Sequence, residues 1–582
     1  MTKVRSKSAR GQRGSATAPA VRAASVKVDV QGAGPPHGPY DLFAHVAVPG
    51  LFLVFVWLWH PFHDVFEFDP DEGNNVIKAL MLARGHPLYT EIWSDQPPLF
   101  TYMLRGWFAL TDWTVAQARL LVLLCSAVLV WTLYQTVRLS WGRVAALAAA
   151  FMLVTSYRYL ALSVSVMLGL PTLMFAMLSI YTLVRYRQRP HGLWLAASGV
   201  FLVLSLFTKL FALLVAPLIL GAVLLSAWSR RREPEQKGHW LRAPALWCGS
   251  FVLSGAILFL LTVPIKDLTQ LLQPHLDARK EMSGTGFDEV FRGMVKADYA
   301  FALLGLVGLL QTLRKRAWFS LVPAVWCGLA YVSLGTHRPL WYHHYPLLGV
   351  PLCWIGGIGM GALFSPELWR SCWPWRGPGS VWPALTLSLS FSFGALAATH
   401  LPSKFKRERD YAQAYAKDTP SDRYTVAVLK QFRERTDYAV TDRQIFAFSA
   451  GMIVPPELSV TSVKRMRSGH LSMETLIGLL QRYQPGVIHF SWRKRIPMTR
   501  ELNEYLATHY SMLYADPRGN RCYVLQTLAV DPLETLERAA AEVPGCWEGQ
   551  YNLSVQLADL GREQDAARAL AEAKRLKALN DR

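Results

Sequence analysis

The sequence predicts an α-helical polytopic membrane protein of about eleven transmembrane helices, with surface helices in its first outer loop and a C-terminal outer α/β module followed by a helical hairpin. Three observations predict it. Hydrophobic residues make up 52% of the 582 and charged residues only 18%, against roughly 25% in an average soluble domain. Apolar runs of roughly 16 to 23 residues recur between positions 44 and 398, each long enough or nearly so to cross about 30 Å of hydrocarbon as a helix. Lysine and arginine gather in alternate connections between the runs, the pattern left when cations are retained on the cytoplasmic side.

The predicted spans are 44–62, 117–139, 142–160, 163–184, 191–208, 210–229, 244–263, 298–313, 317–335, 342–363 and 380–398. The tail ahead of them carries Lys3, Arg5, Lys7, Arg10, Arg13, Arg22 and Lys27 and is placed in the cytoplasm. Threading from there puts Arg138 and Arg143, then Arg185, Arg187 and Arg189, then Arg230, Arg231, Arg232 and Lys237, then Arg314, Lys315 and Arg316 on that same side. The outer connections are then 63–116, 264–297, 336–341 and the tail from 399. Four domains follow: a disordered basic tail over 1–40, a membrane domain over 41–398, an outer α/β module over 399–530 and a tetratricopeptide-like helical tail over 531–582. No cleavable signal peptide is expected, since the first apolar run starts too far in and is too long. The net charge of +20 is spread over loops without any nucleic-acid module, so membrane lipids rather than nucleic acid account for it. Of seven cysteines, Cys125, Cys248, Cys327 and Cys353 fall in spans and Cys372 in a cytoplasmic loop. Cys522 and Cys546 share the outer compartment, where a disulfide is permitted but not demanded.

Polar chemistry concentrates in the first outer loop. Its stretches 70–84 and 98–110 are amphipathic and too short to span, and are expected along the membrane surface. Asp69 suits an N-cap, Pro70 the first helical position and Glu72 the third residue of a capping box. With the cap supplied, Asp71 is left over. Beside Glu72 it forms an acidic pair of the kind that builds a general base or a metal site, although a solvated helix start is the simpler account. A second cluster, Ser94-Asp95-Gln96-Pro97-Pro98-Leu99, reads locally as a turn leading into a helix.

The acidic pair after the first span, the surface helix, the acid-x-Pro-Pro-Leu stretch about 24 residues on and the many short-looped spans together resemble glycosyltransferase superfamily C. The nearest groups are the protein O-mannosyltransferases and the lipid A aminoarabinose transferases. The resemblance implies an enzyme of the bacterial cell (inner) membrane, with its C-terminal domain periplasmic or extracellular. It would move a hexosyl or pentosyl unit, with inversion, from a polyprenyl-phosphate carrier to a glycan, lipid or protein acceptor. Asp71, with Glu72, would orient or deprotonate the attacking group, and cations would hold the departing phosphate. Relatives carry Lys where this chain has Gln96, so Arg84, Lys209, Arg338, His343 and His344 are the candidates for that phosphate. For Lys209 and Arg338, snorkelling to the interface is the competing account. A further acid expected near Pro171 is replaced by Gly169, so a two-carboxylate metal site lacks one of its expected ligands. Asp71 with Glu72 or Asp95 could still hold Mg²⁺ or Mn²⁺.

In the outer tail, TDYAVTD and GVIHFSW read as strands and IFAFSAG and METLIGLLQRYQ as helices. Asp442 and Gln444 are taken as loop structure rather than acceptor contacts. The segment Trp547 to Leu576 reads as one helix-turn-helix unit that must pack on the module or on a partner. A secondary transporter would need broken spans in corresponding halves and charges at the midplane, and neither is evident. A non-catalytic scaffold leaves both acidic clusters unexplained.

Overall fold

The computed structural model describes residues 39–231, 240–264, 269–281, 286–371, 381–493 and 495–580. The basic tail over 1–38, Arg232, Lys237 and Cys372 lie outside the described residues. Helix α1 (Pro39–Trp59) leads into the first long loop, which holds α2 (Pro70–Ala83) and α3 (Leu99–Phe108) and ends at α4 (Val115–Trp141). Among the described residues, six helical stretches are long and apolar enough to cross a membrane: Val115–Trp141, Leu210–Ser229, Arg242–Thr262, Trp318–Thr336, Pro346–Phe364 and a window within Val381–Lys430. A seventh appears if Phe287–Val295 and Tyr299–Arg314, bent by 95°, form one broken span. Ala44–Trp59, Arg143–Val154 and Gly192–Thr208 are shorter apolar helices. The helix Arg242–Thr262 exposes Val252 and Leu253 at 64% and Leu260 and Leu261 at 73%. A soluble protein does not present such a face to water, so this is a multi-pass membrane protein.

The last predicted span ends at 398, yet helix Val381–Ala416 runs through that point without a break. The composition changes where the helix leaves its apolar surroundings, not where its backbone hydrogen bonding stops. Lys404, beyond the predicted end, is buried and pairs with Asp298.

Helix α2 departs from the expectation of a surface helix. Residues Glu72 to Leu82 are all buried, and their apolar side chains share one cluster with Phe100, Leu104 and Phe108 of α3, Ala118 and Val122 of α4, and Ala447, Phe448 and Val454 of the C-terminal module. The module lies on α2 as a lid. Contact is close enough that a Cβ at Gly73 would sit 2.3 Å from the backbone nitrogen of Ile445. Amphipathicity marks one apolar face; it does not say whether lipid or a later part of the chain covers the other.

The module is built on four strands, β1 (Ala439–Thr441), β2 (Val487–Phe490), β3 (Tyr510–Ala515) and β4 (Arg521–Leu525), in the order β1-β2-β4-β3. β1 and β2 are parallel, with Val440 opposite Ile488; β2 and β4 are antiparallel, with His489 opposite Cys522. Asp442 accepts from the backbone and hydroxyl of Ser491, and Gln444 donates to the Leu458 carbonyl, so both serve the fold of the module. A buried ion triad ties the module to the first long loop: Arg443 donates to Glu67 at 2.7 Å and to both oxygens of Asp422 at 2.6 and 2.9 Å. Tail helices Pro532–Glu542, Trp547–Asp559 and Glu563–Asn580 follow. Leu536, Ala539 and Cys546 pack with Tyr424 and Val428 of helix Thr419–Lys430. Cys522 and Cys546 are both buried and unbonded; the Cys546 thiol donates to Glu548 instead.

Candidate active site

The N-terminus of α2 carries the first acidic cluster. Asp69 caps it, its Oδ1 accepting from the Asp71 backbone N–H at 2.9 Å, with Pro70 at the first helical position. The cap is only half of its role. Its Oδ2 accepts from the Tyr342 hydroxyl at 3.2 Å and lies 4.0 Å from Nδ1 of His343. Ligand-type atoms of Asp69, Asp71 and His343 all fall within 4.8 Å of one another. Burial, and then the neighbouring Asp71 charge, push the Asp69 carboxyl well above the usual carboxylate range. Asp71 accepts from the Asn74 amide at 3.2 Å and remains partly exposed. The buried Nδ1 of His343 has no hydrogen-bond partner among the described residues. Burial holds His343 and His344 well below the ordinary histidine range, so both are neutral imidazoles rather than the cations that phosphate binding would favour.

Glu72 is placed differently from its predicted role. It does not close a capping box, nor does it face the site. Its carboxylate is fully buried and accepts from the backbone N–H groups of Phe68 at 2.7 Å and Val166 at 2.9 Å, and from Arg119 at 2.8 and 3.0 Å. Arg119, on α4, spends its remaining donors on the carbonyls of Phe62, Val65 and Phe66. All five of its N–H groups are thereby satisfied. The pair fixes the entry of α2 against the bundle and leaves Asp71 as the acid of the Asp71-Glu72 pair that remains available for chemistry.

The predicted cations separate. Lys209 follows helix Gly192–Thr208 and forms no ion pair among the described residues. Burial, helped by the Lys464 charge, lowers its ammonium to about 8 against the opposing charges of Asp71, Asp95 and Asp69. Arg84 ends α2, thirteen residues and about 20 Å from Asp71, and is exposed. Arg338 is exposed too and lines, with Arg279, Phe287, Asp288 and Thr336, a cleft of about 630 Å³. The ring of His343 stands 4.5 Å from that of His344, which stands 4.8 Å from that of His337, so three imidazoles join the acidic cluster to the chain beside this cleft. Gly169 abuts the same turn: a Cβ there would lie 3.3 Å from the His343 carbonyl oxygen, so the expected carboxylate has little room.

The second motif is not joined to Asp71 as a metal pair. The Asp95 Oδ2 accepts from Lys464 at 2.5 Å, its Oδ1 from the Gln96 amide at 3.4 Å, and its backbone carbonyl from His275 Nε2 at 2.9 Å. Burial alone would raise the Asp95 carboxyl; the Lys464 ammonium beside it holds it far below the usual range instead. The candidate metal ligands therefore pair Asp71 with Asp69 and His343, not with Asp95.

Four residues escaped sequence reasoning: Arg119, Lys78, His275 and Lys464. Only Lys78 left a local signal, as a lone lysine in the apolar run Asn75-Val76-Ile77-Lys78-Ala79-Leu80, two turns from Asp71 on the same helix face. It is buried, donates to Ser94 at 3.4 Å, and is depressed by burial against the charges of Asp95 and Asp71.

Residues 95–254 match the family model described as dolichyl-phosphate-mannose-protein mannosyltransferase. The match begins at Asp95, the acid of the second motif. A comparison with curated protein sequences returns no match. Among solved structures, the fold is similar to ArnT from Cupriavidus metallidurans bound to undecaprenyl phosphate, with a TM-score of 0.55 and 15% identity, covering 84% of this chain and 99% of that one. The apo state of the same protein gives a TM-score of 0.51 at the same identity and coverage. The archaeal oligosaccharyltransferase AglB from Archaeoglobus fulgidus gives 0.49 at 11% identity, covering 85% of this chain and 75% of that one. The chain thus has a fold similar to that of ArnT and resembles, over residues 95–254, the dolichyl-phosphate-mannose-protein mannosyltransferases.

Proposed function

We propose that this protein is a membrane glycosyltransferase that moves a sugar, with inversion, from a polyprenyl-phosphate carrier to a glycan, lipid or protein acceptor on the outer face of the cell membrane. The observation that carries the reading is the Asp71 carboxylate, partly exposed and held by Asn74, whose charge acts on Lys209, a lysine with no ion-pair partner among the described residues. Transfer needs both signs of charge. The acceptor oxygen or nitrogen attacks the anomeric carbon as its proton passes to Asp71, and the carbon–oxygen bond to phosphate breaks. The electron pair of that bond leaves with the polyprenyl phosphate, whose charge Lys209 receives. Undecaprenyl phosphate, bound by ArnT, is the natural first donor carrier to try.

Asp69, Asp71 and His343 would hold a divalent cation, and the unpartnered Nδ1 of His343 suits such a ligand set. Two carboxylates with one imidazole favour Mn²⁺ over Mg²⁺. When bound, the ion would supply positive charge near the reacting sugar. Arg84 and Arg338 are assigned to lipid headgroups and to the cleft mouth. The reading also includes eleven crossings, a cytoplasmic N-terminus and an outer module, for which the cation-rich alternate loops are the support.

Lipid-linked glycan profiling of cells lacking this chain tests the reading. A polyprenyl-phosphate sugar should accumulate; an unchanged lipid-linked pool would contradict it.

A further inference from the structure

We propose that Lys464, carried by the outer module, is a donor-phosphate residue of the membrane site, supplying the positive charge that Gln96 leaves missing from the second acidic motif. The proposal rests on the glycosyltransferase reading above and adds to it a residue from a different part of the chain.

The placement of Lys464 is built rather than incidental. It sits on the short helix Val463–Arg467, whose start is capped by the Ser462 hydroxyl accepting from the Arg465 N–H at 3.1 Å. Arg465 anchors that helix to the first outer loop next to the motif: its guanidinium lies 4.1 Å from the Trp93 ring and donates to the carbonyls of Glu457 and Val460. The Ser459 hydroxyl donates to the Trp93 carbonyl at 3.0 Å. Trp93, two residues before Asp95, is therefore clamped by the module, and Lys464, the residue before Arg465, delivers its ammonium to the Asp95 carboxylate at 2.5 Å.

Charge and hydrogen-bond inventory point the same way. An ammonium has three N–H donors. One goes to Asp95 and one to Nδ1 of His275 at 3.0 Å, which makes His275 the neutral tautomer that donates from Nε2 to the Asp95 carbonyl. The third has no partner among the described residues. Gln96 holds the other oxygen of the same carboxylate, so Lys464 and side chain 96 flank one group from two sides. A lysine at position 96 and a lysine at 464 would thus deliver an ammonium to nearly the same place. The Lys464 charge acts on Lys209. Asp95 takes one N–H of Lys464, and the donor left over can serve a further anion, which in the proposed reaction is the leaving phosphate.

Binding of undecaprenyl phosphate to the purified full chain in lipid nanodiscs tests this. Lys464→Ala should weaken binding by about tenfold or more, the effect of removing one charge-assisted contact. Lys464→Arg should stay near the wild type, and Gln96→Lys placed in the Lys464→Ala chain should recover most of the loss. A role confined to docking the module would not be rescued from position 96. Unchanged binding by Lys464→Ala, or no recovery in the double variant, overturns the proposal while leaving the donor reading intact. Failure of the wild type itself to bind undecaprenyl phosphate would overturn the donor reading and this proposal with it.

Discussion

Adjacent carboxylates at positions 71 and 72 have opposite fates, and the difference is set by what each can reach. Glu72 turns inward to a guanidinium and two backbone N–H groups, while Asp71 has one amide for a partner and stays partly exposed. Glu72→Gln should therefore lower stability by about 3 kcal/mol, as loss of one partner from a buried pair does, read as a lower unfolding temperature at unchanged donor affinity. Cation binding should depend on pH. The Asp69 carboxyl is raised by burial and by Asp71, so near neutrality it holds a proton that a divalent cation must displace. Mn²⁺ affinity should rise with pH from about 5 to about 8 and level off above, and Asp69→Asn should flatten that profile in a Mn²⁺ titration. At this scale the acids were legible, because Asp71 and Asp95 stand in short polar runs within an apolar chain. Their partners were not. Arg119 is 47 residues from Glu72 and Lys464 is 369 residues from Asp95, and local pattern carries no information over such separations.

Helices announced themselves through apolar runs and caps. The Asp69 cap and Pro70 start of α2, and the run of α4, lie where the sequence put them. What covers each helix was hidden. A helix such as α2, with one apolar face, reads as interfacial until the chain is seen to return 370 residues or so later and lay Ile445, Ala447 and Phe448 on it. Gly73 is the element-scale test of that contact. Gly73→Val would thrust its side chain into the Ile445 backbone, and overpacking of this kind costs about 1–3 kcal/mol. The module should lift from α2, seen as faster backbone hydrogen exchange in both helix Gln444–Ala450 and α2. Unaltered exchange in both would mean the two elements do not bear on each other.

Over the whole molecule, a membrane bundle supplies the acids and the C-terminal module closes over them, joined by the Glu67–Arg443–Asp422 triad and by Lys464 on Asp95. Composition and run length made the membrane class plain. They did not reveal that helix Val381–Ala416 carries one unbroken backbone from the bundle toward the module, because the break in hydropathy along it is a change of surroundings. This arrangement makes the site a joint product of two parts of the chain, with Asp71 at its centre. The most direct measurement is the rate of sugar transfer from an undecaprenyl-phosphate-linked donor by purified Asp71→Asn, beside its affinity for undecaprenyl phosphate. Transfer should fall by at least about a hundredfold, as loss of a general base does, with carrier affinity kept; transfer at the wild-type rate would contradict the assignment.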